Sequence, residues 1–260
     1  MALGPVTAAG ATVVSHRWMI TGNAASQLQS IDPAIARAYL NQPGTLLLGS
    51  SPPGWSSTST EHFASEAAFA WAVAAGGLPS GLQAAVYDNE GWSLTPTAEQ
   101  QDPQYYEQQF SALAHSQGLT TVMAPAPDLV SGLSCGSGTY AQRYLRCNLA
   151  GMAAGYGDVV EIQAQSLETN AGSYSSLVSN AASQAGAAHP GVVVLAGLST
   201  GPNGATITGS EMLAAAQATA ATVAGWWLNI PGTSVSCPAC RSPQPMIADQ
   251  FLRALDAHGV

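Results

Sequence analysis

Two carboxyl groups stand two residues apart in the segment Leu82-Gln-Ala-Ala-Val-Tyr-Asp-Asn-Glu-Gly-Trp92. The first half of this segment is short, apolar and free of helix breakers, which is typical of a buried strand. Alternate side chains of a strand share a face, so Asp88 and Glu90 are expected to point the same way at its carboxyl end, with Trp92 close by. Paired acids in such a place suit general acid–base chemistry, although both would also serve as helix caps or solvated loop residues.

Similar strand-like segments recur along the chain and alternate with helix-like segments, which is typical of parallel βαβ units. Seven are predicted, over residues 12–18, 45–49, 82–87, 120–124, 158–165, 192–197 and 226–230. We therefore expect residues 1–260 to form one α/β domain, a TIM-type (β/α) barrel with seven or eight parallel strands. A doubly wound open sheet is the alternative, but the segment after the first strand lacks the Gly-rich turn of that fold.

Helices are predicted to begin where a capping residue precedes an amphipathic run. Asp followed by Pro, or a Thr three residues before a Glu, gives this signal at Asp32-Pro33, Asp102-Pro103, Thr208/Glu211 and Thr58/Glu61.

In a barrel, the carboxyl ends of the strands meet at one mouth, where catalysis normally takes place. We predict Asp88, Glu90 and Glu161 as catalytic residues at this mouth. The predicted substrate-binding residues are aromatic, amide or acidic side chains near the same strand ends: His16, Trp18, Trp92, Asp128, Gln163, Gln165, Trp227 and Asn229. These residues also have structural interpretations. Tryptophans in strands usually pack in a core, and the two glutamines would satisfy each other's hydrogen bonds. A lone histidine more often makes a structural hydrogen bond. The other histidines are expected at the surface or at helix ends: His62, His115, His189 and His258.

Composition excludes several classes of protein. The 260-residue chain has a net charge of −9, and its six basic residues are all arginine. Schiff-base aldolases, pyridoxal-phosphate enzymes and Walker-type NTPases need a lysine, so all three are excluded. The negative charge argues against nucleic-acid partners and anionic membranes, and no apolar run approaches the length of a membrane span. No cofactor is expected; a metal site built from His16, Asp88 and Glu90 is a minor alternative.

Four cysteines form two pairs that are local in sequence. Cys135 and Cys147 bracket a Gly/Ser-rich loop, and Cys237-Pro-Ala-Cys240 is a single CxxC. Two local disulfides are expected, which implies a secreted or extracytoplasmic protein, although the first residues lack the pattern of a signal peptide. Zinc binding is less favoured because one CxxC is not matched by a second, and a redox CxxC would be expected at a helix start early in a small domain.

The segment Tyr87-Asp-Asn-Glu90-x-Trp92 resembles glycoside hydrolase barrels of the chitinase type, which carry D-x-E at the end of a strand. The resemblance implies that Glu90 is the general acid and that Asp88 orients it and adjusts its pKa. The chitinase pattern has further aspartates upstream, where this chain has Gln83 and Val86, so a substrate-assisted mechanism on an N-acetyl sugar is not implied. Elsewhere, Gly197-Leu-Ser-Thr200 and Trp227-Leu-Asn-Ile-Pro231 resemble secreted barrel proteins of actinobacteria.

Stacking rings, amides and paired acids without a cationic clamp favour a neutral carbohydrate as the ligand. The first hypothesis is a secreted glycoside hydrolase or transglycosidase acting on a small-molecule or oligosaccharide substrate. The alternatives are an acid-initiated lyase or cyclase with an apolar substrate, in which tryptophans stabilise cationic character, and a barrel that binds carbohydrate without cleaving it.

Overall fold

The computed structural model describes residues 16–234 and 237–259, and its strands form one closed barrel in which every neighbouring pair is parallel. The eight strands follow chain order around the barrel: β1 Arg17–Thr21, β2 Leu46–Leu48, β3 Thr58–Phe63, β4 Ala84–Tyr87, β5 Thr120–Met123, β6 Val159–Ile162, β7 Val193–Ser199 and β8 Gly225–Asn229. The expected TIM-type barrel is thus confirmed, and it has eight strands rather than seven. Residues 12–15 of the predicted first strand lie outside the described residues.

Helices connect the strands and surround the barrel. They are α1 Gly22–Ile31, α2 Pro33–Leu40, α3 Glu66–Ala74, α4 Thr97–Gln101, α5 Pro103–Ser116, α6 Tyr140–Arg146, α7 Leu149–Ala154, α8 Ala171–Ala188, α9 Gly209–Thr219 and α10 Pro245–His258. Short 3₁₀ turns occupy Pro127–Ser131, Gln165–Leu167 and Pro202–Gly204. Within the described residues, no helix combines the length and the apolar character needed to cross a membrane.

The prediction of a helix start at Thr58 and Glu61 is wrong, because this segment is the missing eighth strand. β3 pairs with Leu46–Leu48 on one side and with Ala84–Tyr87 on the other. The capping residue of the following helix is Ser65, whose hydroxyl accepts a hydrogen bond from the Ala68 amide at 3.1 Å. The spacing of a capping box also fits a half-polar strand, and here the pairing of two neighbouring strands outweighs the local signal.

The other three helix starts are confirmed. Asp32 and Asp102 accept hydrogen bonds from the first backbone amides of α2 and α5, each of which begins with a proline. Thr208 and Glu211 form a complete capping box at the start of α9. In these places the capping groups satisfy amides that have no partner inside the helix.

Two apolar layers hold the barrel together. The inner layer fills the lumen with alternate strand residues, among them Met19, Leu46, Val86 and Leu195, and it reaches up to Trp227. The outer layer packs the opposite faces of the strands against the helices. Because successive strand side chains alternate between the two layers, the pairing register fixes which residues point into the lumen.

Two disulfides join Cys135 to Cys147 and Cys237 to Cys240, as the sequence predicted. The first ties the loop after β5 to the end of α6, and its partners are 12 residues apart. The second closes a separation of 3 residues in the loop after β8. Such bonds persist in oxidising compartments, so they are consistent with an extracellular location.

Replacing both Cys135 and Cys147 with alanine is expected to lower the free energy of unfolding by about 3 kcal/mol, because the unfolded chain then recovers the freedom of the closed loop. Replacing Cys237 and Cys240 should cost less, about 2 kcal/mol, because that loop is shorter. Urea unfolding of the two double variants measures both losses. Equal stability of the Cys135/Cys147 variant and the wild type would contradict the expectation.

Candidate active site

A cavity of about 1050 Å³ opens at the carboxyl ends of the strands. Most of the predicted site residues line it: Asp88, Glu90, Trp92, Asp128, Gln163, Gln165, Trp227 and Asn229. The volume lies at the upper end of the range of about 300–1,000 Å³ that is typical of small-molecule sites. Residues far apart in sequence therefore meet at one mouth, as the barrel geometry led us to expect.

His16 and Trp18 do not belong to this mouth, and their predicted position is wrong. β1 ends at Thr21, so both residues lie at its amino end and point outward. The His16 ring packs on Trp226 with centroids 4.5 Å apart, and Trp18 is 1% exposed among Trp226, Phe251 and Tyr39. The first strand was predicted about four residues too early in the chain, which moved its end to the wrong residues.

Asp88 lies at the centre of the site and is 3% exposed. Its Oδ2 lies 2.7 Å from Nε2 of His62, and its Oδ1 accepts a hydrogen bond of 2.7 Å from the Gln163 amide. The same amide nitrogen donates to the carbonyl oxygen of Ala124 at 3.0 Å. Both oxygens of Asp88 are thus held by partners on β3 and after β6, which fixes the carboxylate in one orientation.

His62 is a site residue that the sequence prediction placed at the surface. It sits in register with Val86, faces the lumen from β3 and lines the cavity. Burial alone lowers the pKa of His62, but the hydrogen bond and the negative charge of Asp88 outweigh that effect, so its pKa is raised. The residue was missed because its strand had been read as a helix. The signal that could have found it is the alternation of Thr58, Thr60 and His62 on one face.

Glu90 follows β4 in a loop and brings its carboxyl group to the same cavity. Burial raises the pKa of Glu90 to about 9, and the neighbouring charges of Asp88 and Asp128 act in the same direction, against a hydrogen bond from Gln163. At neutral pH Glu90 is therefore protonated beside a carboxylate. Two acids with different environments can divide the roles of proton donor and charged partner.

The loop that carries Glu90 is fastened at several points. The Thr95 hydroxyl accepts hydrogen bonds from the indole of Trp92 at 2.8 Å and from the amide of Glu90 at 3.4 Å, and it donates to the Ala64 carbonyl at 2.6 Å. Asp128 accepts a hydrogen bond of 2.8 Å from the Gly91 amide. These bonds preorganise the acid with respect to the rest of the site, which catalysis requires.

Glu161, which was predicted as a catalytic residue at the mouth, lies deeper in the lumen and does not line the cavity. It is fully buried, and neither of its carboxyl oxygens has a hydrogen-bond partner among the described residues. Burial raises the pKa of Glu161 well above its usual range, and the charges of Asp88 and Glu90 add to the effect. Glu161 and the unpartnered Oε1 of Gln165 both occupy the space beside Gly197, where a Cβ atom would collide with them. Glu161 is thus placed below the cavity, beneath Asp88 and Glu90.

Aromatic rings form part of the cavity wall. Trp92 is half-buried, Trp227 is 8% exposed at the top of the lumen, and Tyr140 is an exposed ring at the rim. The indole nitrogen of Trp227 is buried and has no hydrogen-bond partner among the described residues. No arginine stands in the described lining, and no group of three or more His, Cys, Asp or Glu side chains in the described chain is arranged to hold a metal ion. The arrangement suits an uncharged polar ligand.

The sequence matches no protein-family model and no curated protein.

Proposed function

We propose that this protein is a secreted glycoside hydrolase or transglycosidase that acts on a neutral carbohydrate, with Glu90 as the proton donor. The observation that carries the proposal is the pairing of a protonated Glu90 with the fixed carboxylate of Asp88 in one large cavity. Glycosidic-bond cleavage needs an acid that protonates the leaving oxygen and a second carboxyl group close to the sugar ring. The two disulfides support the extracellular part of the proposal.

In the proposed reaction, Glu90 transfers its proton to the glycosidic oxygen. The bond between that oxygen and the anomeric carbon breaks, and its electron pair stays with the leaving oxygen. Asp88, held by His62 and Gln163, places negative charge beside the anomeric carbon as positive charge develops there. Water or another sugar hydroxyl then adds to this carbon, and its proton returns to a carboxylate. Asp128 is a further carboxyl group that lines the same cavity.

The side chains that line the cavity favour a neutral polar ligand over a charged or an apolar one. Asp88, Asp128 and Glu61 line it, so an anionic group at its centre would be repelled. The Asn229 amide, which lines the cavity, offers hydrogen bonds that hydroxyl groups satisfy, whereas an apolar substrate would leave it unpaired. This polar lining favours a sugar over the apolar substrate of a lyase or cyclase.

Incubation with a panel of neutral oligosaccharides, followed by mass spectrometry, tests the proposed reaction. Hydrolysis gives fragments whose combined mass exceeds that of the substrate by one water, transglycosylation gives longer products without added water, and elimination gives an unsaturated fragment. The proposal predicts one of the first two outcomes for the wild type and loss of it for Glu90→Gln. Binding without any cleavage by the wild type, or unsaturated products, would contradict it.

Replacing Trp92 with alanine is expected to weaken binding of a neutral oligosaccharide by about 2- to 10-fold, because a stacking surface is lost. Binding by the wild type should depend little on salt, since no ion pair holds a neutral ligand. Isothermal titration calorimetry at low and high salt measures both effects. Trp71→Ala is the matched control: this ring is 73% exposed on α3 and does not line the cavity. A steep salt dependence would show that charge, not stacking, governs binding.

A further inference from the structure

Acceptor oxygens without hydrogen-bond partners meet just below the large cavity. Both carboxyl oxygens of Glu161 and the amide oxygen of Gln165 are buried and have no partner among the described residues. A Cβ atom at position 197, where the chain has glycine, would lie 2.7 Å from Oε1 of Glu161 and 2.4 Å from Oε1 of Gln165. The two oxygens therefore point at the same small space inside the barrel.

The barrel geometry leaves room for this meeting at Gly197. Glu161 pairs with Leu195 of β7, which belongs to the inner apolar layer, so Glu161 shares its lumen face. Gly197 follows Leu195 by two residues and therefore faces the lumen as well. Any larger residue at this position would fill the space that the side chains of Glu161 and Gln165 share.

Two acceptor oxygens attract each other only if one of them carries a proton. An amide oxygen has no proton to give, whereas a neutral carboxylic acid has one O–H donor. Glu161 is 0% exposed, and a buried carboxylate without a partner would be costly. Burial raises the pKa of Glu161, and the charges of Asp88 and Glu90 act in the same direction. A protonated Glu161 that donates to Gln165 avoids this cost and satisfies the amide oxygen.

Gln165 differs from the nearby Gln163 in what its amide is free to bind. The Gln163 amide nitrogen donates to Asp88 at 2.7 Å and to the Ala124 carbonyl at 3.0 Å. Gln165 lines the cavity and is half-buried, but its amide oxygen is enclosed below the cavity. With that oxygen held by Glu161, the two N–H groups of the same amide are left for the cavity. Because they are donors, they match the lone pairs of a hydroxyl oxygen.

We propose that Glu161 is a positioning residue whose proton forms a hydrogen bond to Oε1 of Gln165, so that the Gln165 amide donates to a hydroxyl oxygen of the bound sugar. This inference rests on the proposed function for its ligand. It adds to the predicted substrate contact of Gln165 the group that holds that side chain in place. Glu161 then takes no part in breaking the glycosidic bond, in contrast to the role that the sequence predicted.

Calorimetry with a neutral oligosaccharide tests the proposal in full-length Glu90→Gln protein, which keeps the ligand intact. Adding Glu161→Met, which keeps the size of the side chain but has no donor, is expected to weaken binding about 5- to 10-fold. Adding Glu161→Gln instead should restore most of the affinity, because its side-chain N–H can donate to Gln165 in place of the carboxyl group. Glu107→Met makes the same change in a buried glutamate of α5 outside the cavity and should not weaken binding.

A double variant shows whether the two side chains act together. Gln165→Met should weaken binding to a similar extent as Glu161→Met, and the two changes combined should lose no more than Gln165→Met alone. If Glu161→Gln binds as weakly as Glu161→Met, or if the two losses add, the inference is overturned.

NMR without substrate separates failure of this inference from failure of the proposed function. The ¹³C signal of the Glu161 carboxyl carbon, assigned with Glu161→Gln, should keep its protonated position from about pH 5 to about pH 8. The side-chain amide signals of Gln165 should move in Glu161→Met. If both results hold and no neutral oligosaccharide binds, the contact between the two side chains stands and the proposed carbohydrate function is wrong. If Glu161 titrates near the ordinary glutamate pKa of 4.5, it is ionised beside Gln165 and the inference is overturned.

Discussion

Replacing Glu90 with glutamine is expected to lower the rate of glycosidic-bond cleavage by about 10²–10⁴-fold, which is the usual contribution of a general acid. Glutamine keeps the shape and hydrogen-bonding reach of the side chain but carries no acidic proton. Binding of an oligosaccharide should therefore survive, and the loss should appear in kcat with little change in the dissociation constant. Initial rates on a confirmed substrate, together with calorimetric binding, measure the two effects separately.

Glu107→Gln provides the matched control, since it makes the same change in a fully buried glutamate of α5 that does not line the cavity. Its turnover should stay close to that of the wild type. If Glu90→Gln retains near-wild-type turnover, the proton donor lies elsewhere in the molecule. The next variant would then be Asp128→Asn, because Asp128 lines the same cavity.

The stability of the protein is expected to fall as the pH rises from mildly acidic to alkaline. Burial raises the pKa of Glu90 and of Glu168 to about 9, and it raises those of Glu107 and Glu161 well above their usual value. Each of these groups is protonated in the folded chain and ionised in the unfolded chain once the pH exceeds the ordinary glutamate value of about 4.5. Folding then requires proton uptake. The stability that each group contributes is fully present below that value and is lost as the pH approaches the folded pKa.

A glutamate that stays protonated in the folded chain contributes at most about 1.4 kcal/mol per pH unit to this slope. The expected result is the direction, a loss of stability as the pH rises. Urea unfolding at several pH values between 5 and 9 measures it. Glu107→Gln removes one titrating group, so its stability relative to the wild type should improve as the pH rises. A stability that is flat or rising over this range in the wild type would mean that these glutamates are ionised in the folded chain.

The alternation of apolar strand segments with helical segments was sufficient to predict the fold, because such an alternation fits few arrangements other than a parallel α/β barrel. It failed at Thr58–Phe63, where five of the six residues are polar and a capping-box spacing imitates a helix start. The strand forms because pairing with the backbone of β2 on one side and β4 on the other stabilises it, although its side chains are mostly polar. This kind of stabilisation comes from neighbours in space, which a single sequence does not display.

Because contacts in space are not visible in a single sequence, some residues of the site were predicted and others were missed. Asp88, Glu90, Gln163 and Trp227 were found because each lies in or directly after a strongly apolar strand. His62 was missed with its strand, so the partner that holds Asp88 was missed as well. A raised pKa of Glu90 could be predicted from the nearby Asp88. Its largest cause is burial, however, which depends on how the loop from Gly91 to Thr95 folds over the cavity.

The central claim is that Glu90 is protonated at neutral pH because it is partly buried beside Asp88. Titration of the Glu90 side-chain carboxyl carbon by ¹³C NMR, assigned with the Glu90→Gln variant, tests this claim without any substrate. An apparent pKa near 9 is predicted for the wild type. In Asp88→Asn the value should fall but stay above 4.5, because the charge of Asp88 is lost while burial remains. A wild-type value at or below 4.5 would contradict the account, since Glu90 would then have no proton to donate.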